Sequence, residues 1–384
     1  MELCDYLDPV ETANTGITTR NNSIGRNIKT HTKEKGLPVL KKNGIAIIGI
    51  PFFDEIKNVN KGVADLVREK FYSLSMVSGN VNLTDLGNVK PGNSIADLYA
   101  ALLEVTMTLL EKNIIPVFTG GSQKLAHAIF SAYGKTGQTI NITSVDHRPG
   151  LSGATEENDP HPDYLNRIIL EQNNHLFNYT NMGYQSCFTT NKELELLDEL
   201  LFDYYRLGLL RSNLKEAEPV LRDTDFLVFS MSAVRESDAP ANSFPSPNGL
   251  YAEEACQIAK YAGLSDRLSS MGVFDLSSTG VVNSATAHLA AQIMWYFIDG
   301  LSGRNKEYPF DKRKNCKKFI INLSHSDNEL IFYKSTISER WWMEIPSSRL
   351  RKKLIAACSY EDYLQACNQE VPERWWRNYK KINF

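Results

Sequence analysis

Short apolar runs of strand length alternate along this chain with amphipathic stretches of helix length, and that alternation constrains the fold more than any other feature. The runs are Ile45 to Ile50, Ile114 to Phe118, Thr139 to Val145, Asp225 to Phe229, Gly272 to Leu276 and Phe319 to Leu323. Between them, Ile95, Leu98, Leu102, Val105 and Leu109 share one helical face, and Ser94 followed by Asp97 marks a capping box at its start. A second helical face runs from Thr286 through Ala290, Ile293 and Phe297. Alternation of strands with helices implies crossover connections and a mainly parallel sheet covered on both faces. The expected fold is α/β, a three-layer α/β/α sandwich.

The 384 residues, 42% of them apolar, are ample for a sizeable core. Residues 1–43 are polar with little periodicity and read as an N-terminal arm or poorly ordered lead-in. The α/β domain is expected over 44–302, and 303–384 as a C-terminal extension packed on it. Four of the five tryptophans lie in that extension, in two Glu-Arg-Trp-Trp copies at 339–342 and 373–376. One reading has them anchoring the extension; the other makes them a scaffold or oligomer surface, since Trp and Arg are favoured at hot spots. Net charge is -3, so no global field favours nucleic acid or anionic lipid. No apolar run approaches the roughly 20 residues needed to span a bilayer, and the start lacks a signal-peptide pattern, so a cytoplasmic protein is expected. Six cysteines without a C-x-x-C pair argue against zinc or a redox dithiol and read as buried free thiols.

In open α/β sheets, ligands bind beyond the carboxyl ends of the strands. Four segments leave such ends: TGGSQ from Thr119, SVDHRPGL from Ser144, SMSA from Ser230 and DLSS from Asp275. They are expected to face one crevice. Its candidate lining from these segments is Gly121, Ser122, Gln123, Ser144, Asp146, His147, Arg148, Ser230, Ser232 and Asp275, with Asp146, His147 and Asp275 the candidates for any proton chemistry.

At these strand ends the chain resembles the ureohydrolase family of arginase, agmatinase and, most closely, formimidoylglutamase. The similarity covers about residues 44–302 and rests on ordered stretches. GIAIIGIPFFDEIKNVNKG is similar to the family's first strand and turn, LTDLGNV to D-x-G-D-V, and PVFTGGSQKLAHAIF to the segment around G-G-D-H-S. ITSVDHRPGL stands in the place of D-A-H-x-D-x-R, APANSFPSPNGL is close to A-P-x-x-S-x-P-S-P-x-G-L, and TAHLAAQIMWYFIDG matches the helix after the last motif.

The resemblance implies an arginase-like fold, oligomers, and a pair of manganese ions that activate a hydroxide for attack on a guanidine or formimino carbon. Carried over position by position, the six metal ligands fall on Gln123, Ile142, Ser144, Asp146, Ser230 and Ser232, and the substrate-contacting glutamate on Asp275. Hard dications close together need several anionic ligands. Only Asp146 supplies one, so loss of the dinuclear site is expected, with no cofactor and a non-catalytic role in binding a small polar ligand or a protein. The alternative is a hydrolase of a linear amidine or guanidine C–N bond that works through a rearranged or mononuclear manganese site. Shifting the alignment by one would place His147 on the last aspartate.

Other residues carry two readings each. Asp146 and Arg148 form either an internal ion pair or loop cap, or a ligand clamp in which the guanidinium takes a carboxylate. His147 is either structural or a general base. His161, after Pro160, either opens a helix or, as the resemblance implies, lines the crevice by following a loop where the family positions substrate. Lys124 and His127 lie on the helix opened by Gly121 and Ser122, whose N-terminus could hold an anion; His288 falls within a helical pattern. No nucleophile elbow and no phosphate loop is present.

Overall fold

The computed structural model describes residues 2–11, 21–53, 59–60, 62–79, 81–151, 163–172, 174–277, 284–307, 315–324, 329–347 and 353–384. In chain order its strands are β1 (Leu7–Asp8), β2 (Lys29–Thr30), β3 (Ile45–Ile50), the small ribbon β4 (Phe52–Phe53) and β5 (Val59–Asn60), β6 (Leu83–Val89), β7 (Ile115–Gly120), β8 (Ile140–Val145), β9 (Leu176–Tyr184), β10 (Asp203–Arg206), β11 (Phe226–Ser230) and β12 (Ser270–Phe274). One sheet runs β1-β6-β3-β7-β12-β11-β8-β9-β10, with β2 beside β6. Its pairings are parallel except β1 with β6.

Strands β3, β8, β11 and β12 are buried at every position, as central strands of a sheet covered on both faces must be. Ile47, Val117, Phe229 and Val273 pack against helices Gly62–Ser73, Ala252–Gly263 and Ser284–Ser302 on one face. Ile48, Phe118, Ile142 and Phe274 pack against Ile95–Glu111, Ala126–Lys135 and Tyr164–Leu170 on the other. The chain winds outward from β3 to β6, returns to β7, winds outward again through β8, β9 and β10, and comes back to fill the centre with β11 and β12. The four strands whose ends carry the quoted loops are therefore neighbours, in the order β7-β12-β11-β8.

Strands β6, β9 and β10 have no apolar run to announce them. In β6 the polar Asp85 is fully buried because Arg68 Nε and the Tyr72 hydroxyl both donate to it at 2.8 Å. Gly87 follows at φ +84°, its backbone so close to Asp8 that a Cβ would lie 2.0 Å from that carbonyl oxygen. Strands β9 and β10 contain Asn178 and Asp203, which hydrogen-bond each other at 3.0 Å, and Asn181, whose amide donates to the Arg148 carbonyl. The N-terminal arm is better integrated than its composition suggests: β1 and β2 both pair with β6, and Leu3, Leu7, Val10 and Ile24 are buried.

The run Phe319 to Leu323 does not join the parallel sheet. It belongs to β13 (Cys316–Asn322), which with β14 (Glu329–Ser335), β15 (Trp341–Ile345) and β16 (Leu354–Cys358) makes a separate antiparallel sheet. The physical reason is its largely exposed pattern, with Lys317 and Lys318 both in solvent on an edge strand. Helices Tyr360–Cys367 and Glu373–Asn383 cover one face of this sheet around Phe332, Trp341, Met343 and Trp375. The other face meets Ala217–Arg222, where the Arg222 guanidinium lies 4.8 Å from the Trp342 ring centroid and donates to the Trp341 and Cys358 carbonyls. Arg377 donates to the Phe202 carbonyl and Lys381 to Asn178. These contacts sit where β9, β10 and β11 begin, so the extension closes the amino ends of the strands and leaves the carboxyl ends to the four loops.

Three of the four repeat tryptophans are buried in this arrangement, and Trp376 is 44% exposed. The thiols are less uniform than expected: Cys256 and Cys358 are buried, Cys187 and Cys367 are exposed, and all six are free. Among the described residues no helix is long and apolar enough to cross a membrane.

Candidate ligand crevice at the strand ends

The turn after β7 depends on its two glycines. Gly120 and Gly121 have φ of +92° and +67°, and a Cβ on them would stand 2.5 Å from the Ile50 carbonyl oxygen and 2.7 Å from Ile50 Cγ2. No other residue fits without displacing β3. The turn delivers Gln123, completely buried, into the crevice. Ser122 stays behind: its hydroxyl accepts from the Lys124 N–H and caps the short Gln123–Leu125 turn. Lys124 is on that turn and His127 on the helix behind it. The His127 ring faces Tyr99 and pairs with Glu171 at 2.8 Å, away from the crevice.

Asp275 joins the loops. It is 2% exposed, at φ +61° directly after β12. One carboxylate oxygen accepts from the Gln123 backbone N–H at 3.0 Å and the other from the Ser230 hydroxyl at 2.7 Å. Its own N–H donates to the Gly121 carbonyl, and its carbonyl accepts from the Ser243 N–H. A single residue thus fastens the turn after β7, the end of β11 and the loop around Ser243. Burial, and next the nearby charge of Asp146, pushes its carboxyl up to about 6.

Asp146 and His147 leave β8 together, both almost fully buried, with His147 Nδ1 2.7 Å from Asp146 Oδ1. Of the readings open for Asp146 and Arg148, the internal ion pair is not formed among the described residues, where Asp146 pairs with His147. Arg148 instead lies 5.4 Å from the Phe188 ring centroid, and His147 meets the same ring edge-on at 5.2 Å. Ser144 lies one step further in, where the Gln123 side-chain amide donates to it at 3.4 Å. The enclosed space bounded by Asp146, His147, Arg148, Ser230, Phe244 and Asp275 is about 10 Å³, room for about one water molecule.

The structure therefore brings Gly121, Gln123, Ser144, Asp146, His147, Arg148, Ser230, Ser232 and Asp275 to one end of four adjacent strands. His161 lies outside the described residues. Ile142 does not belong with the others: it pairs across with Phe226 at the start of β11 and sits in the hydrophobic core. Phe229 is level with Val145, so Ser230 is followed across the strands by Asp146, and a residue four positions earlier is about 13 Å deeper at a strand's rise of roughly 3.3 Å per residue. Counting back from the retained D-x-R places a ligand too far down the strand. His288 is exposed on its helix.

Other participants carry no linear signal. Asn181 on β9 donates to the Arg148 carbonyl at 2.8 Å and shapes the loop after β8. Tyr179 donates to the Pro149 carbonyl at 2.5 Å. Phe188 and Phe244 wall His147 from both sides. The buried atoms without a hydrogen-bond partner among the described residues include four at this site, Gln123 Oε1, Arg148 Nε, Asn181 Oδ1 and Ser232 Oγ. Among the described residues no group of three or more His, Cys, Asp or Glu side chains gathers in a way that could hold a metal ion.

Comparison with known proteins bears on this crevice. The arginase family profile matches residues 43–299, the stretch that carries all four loops. The chain belongs to the arginase family. Among its arginase-family relatives, formimidoylglutamase of Staphylococcus haemolyticus (strain JCSC1435) is 24% identical over 283 residues, covering 68% of this chain and 87% of that protein. The solved structure of formimidoylglutamase from Bacillus subtilis superposes with a TM-score of 0.64 at 18% identity, covering 77% of this chain and 97% of the other. Trypanosoma cruzi formiminoglutamase with Mn2+ gives 0.63 at 17%, covering 73% and 99%. The arginase fold accounts for the parallel sheet and its layers, and the antiparallel sheet of the extension follows the matched segment.

Proposed function

We propose that this arginase-family chain uses its crevice to bind a small polar ligand, or the polar end of a larger one, without a manganese pair and without hydrolysing a C–N bond. The observation that carries this reading is that the groups at the strand ends bond to each other. Gln123 reaches Ser144, Ser230 and the Gln123 backbone reach Asp275, and His147 holds Asp146. Two dications need several anionic donors to offset their repulsion. Beginning the D-A-H-x-D pattern at Asp146, as the strand register suggests, puts Arg148 and Gly150 in its later positions; ending it at Asp146 puts Ile142 and Ser144 there. Either way one carboxylate remains, and a guanidinium beside it repels cations. These residues do not fit the manganese pair of the family resemblance. The unpartnered Gln123 Oε1 and Ser232 Oγ offer a ligand neutral acceptors, and Arg148 offers a donor.

A second reading keeps the hydrolase chemistry named for the relatives. It is favoured by the Asp146–His147 pair, a base held by a carboxylate, facing an Asp275 whose acidity lies within reach of neutral pH. One experiment separates the two. The full chain is purified with manganese, freed of excess, and assayed for bound metal and for formamide or urea release from formimino and guanidino compounds. Stoichiometric metal with turnover establishes the hydrolase. Neither, with amino acids and their amidine derivatives raising the melting temperature, supports the binding reading. Asp146→Asn and Arg148→Ala then abolish the thermal shift; retention of the shift in both variants places the ligand elsewhere.

A further inference from the structure

A large cavity lies at the other end of the molecule. A groove of about 940 Å³ runs between helix Ala217–Arg222 and the C-terminal extension. That is at the upper end of ligand pockets, and the groove is open along its length. Its extension wall follows residue 299, where the family match ends, and so is no part of the arginase crevice.

That wall is aromatic. Trp341 and Tyr363 stack at 4.6 Å, Phe319 lies 5.1 Å from Trp341, and Tyr360, 52% exposed, extends the cluster at 5.6 Å. Pro219 is on the facing wall. The charged groups between the walls are already occupied. Arg222 and Arg340 both pair with Glu218, at 2.6 and 3.1 Å, and Lys334 is 3.6 Å from Glu339. Lys215 and Glu361 add one exposed charge of each sign. A phosphate-rich ligand needs uncommitted cations, and this groove has no net field to attract one.

Strand addition is blocked as well. The Ala357 N–H on β16 donates to Asp223 at 2.7 Å, and the Cys358 carbonyl accepts from Arg222. A peptide laid here meets the exposed Tyr360 ring over a buried Trp341, while the β16 edge beside it is already engaged. A polyproline II segment suits those conditions: it needs no backbone ladder, is already extended and stiff, and docks on aromatic-lined grooves.

We propose that this groove is a docking site for a proline-rich segment of low charge on a partner protein. The full-length chain is titrated with a synthetic ten-proline peptide by calorimetry, beside a Gly-Ser peptide of equal length, a ten-nucleotide oligothymidylate and a neutral oligosaccharide. Saturable binding of the proline peptide is expected, weakened roughly tenfold or more by Tyr360→Ala and unchanged by Trp376→Ala, an exposed ring outside the groove. Tyr360 stands at the first turn of a surface helix, and an unchanged melting temperature verifies that its variant folds. No saturable binding of the proline peptide, equal binding of the Gly-Ser peptide, or preference for the nucleotide or the sugar overturns the proposal. So does indifference to Tyr360→Ala.

Discussion

Asp275 holds together in one side chain what the four loops do not hold alone. Its carboxyl is pushed up to about 6 in the folded protein, against an ordinary value of 3.8, because burial and the neighbouring Asp146 disfavour the charge. An acid raised by folding keeps its proton while the unfolded chain releases it, so stability is greatest below about pH 4 in this term and falls as pH rises toward 6. The linkage is worth on the order of 3 kcal/mol. Asp275→Asn cannot titrate, so its denaturation free energy is expected to fall less steeply than that of the parent between pH 4 and 6, measured by urea titration at several pH values. Equal slopes would show that Asp275 is ionised throughout. At this scale the placement of Gly121, Gln123, Asp146, Ser230 and Asp275 was legible in the sequence, since all sit beside strand ends that apolar runs disclose. The sequence misplaced Ile142 because counting along a motif cannot locate where a strand stops. Asn181 and Phe188 stayed hidden because they come from β9 and the loop after it, and reach the site only through the sheet.

The elements divide in the same way. Strands β3, β7, β11 and β12 are legible because both their faces are buried and their residues mostly apolar, and β8 because Ile140, Ile142 and Val145 keep an apolar run around Asn141, Thr143 and Ser144. Strands β6, β9 and β10 are not, because buried polar side chains break their pattern and find partners only in three dimensions, as Asp85 does with Arg68 and Tyr72. Where a tight element meets the crevice, the turn after β7 is the sensitive point. Gly121→Ala adds a methyl 2.7 Å from Ile50 Cγ2 on a backbone at φ +67°. The expected cost is about 1–3 kcal/mol, combining left-handed backbone strain with displacement of β3. The variant is expected to melt lower and, because Gln123 moves with the turn, to lose the ligand-induced thermal shift as well. Gly137→Ala is the control: its φ is +73° but nothing lies within 4 Å of the added methyl, so it bears the backbone strain without the clash and leaves the crevice intact. Equal thermal shifts in both variants would separate the turn from the ligand.

In the whole molecule, the crevice and the extension occupy opposite ends of the same parallel sheet, and that separation makes a test of their independence. The junction rests on Arg222, which is 7% exposed, pairs with Glu218, donates to two carbonyls of the extension and lies over Trp342. Truncating one partner of a buried, hydrogen-bonded ion pair typically costs about 3–5 kcal/mol, because the remaining groups lose their partners without regaining water. Part of that cost is moderated here, since Glu218 keeps Arg340. Arg222→Ala is therefore expected to lower the denaturation free energy by about 2–4 kcal/mol and to weaken the proline-peptide docking by loosening the groove wall. At a temperature where it remains folded, its crevice ligand is expected to bind as in the parent, since Arg222 precedes β11 and the crevice begins after it. Parallel loss of both binding events, with native stability retained, would mean that β11 transmits strain from one end to the other and that the extension controls the crevice through the strand between them.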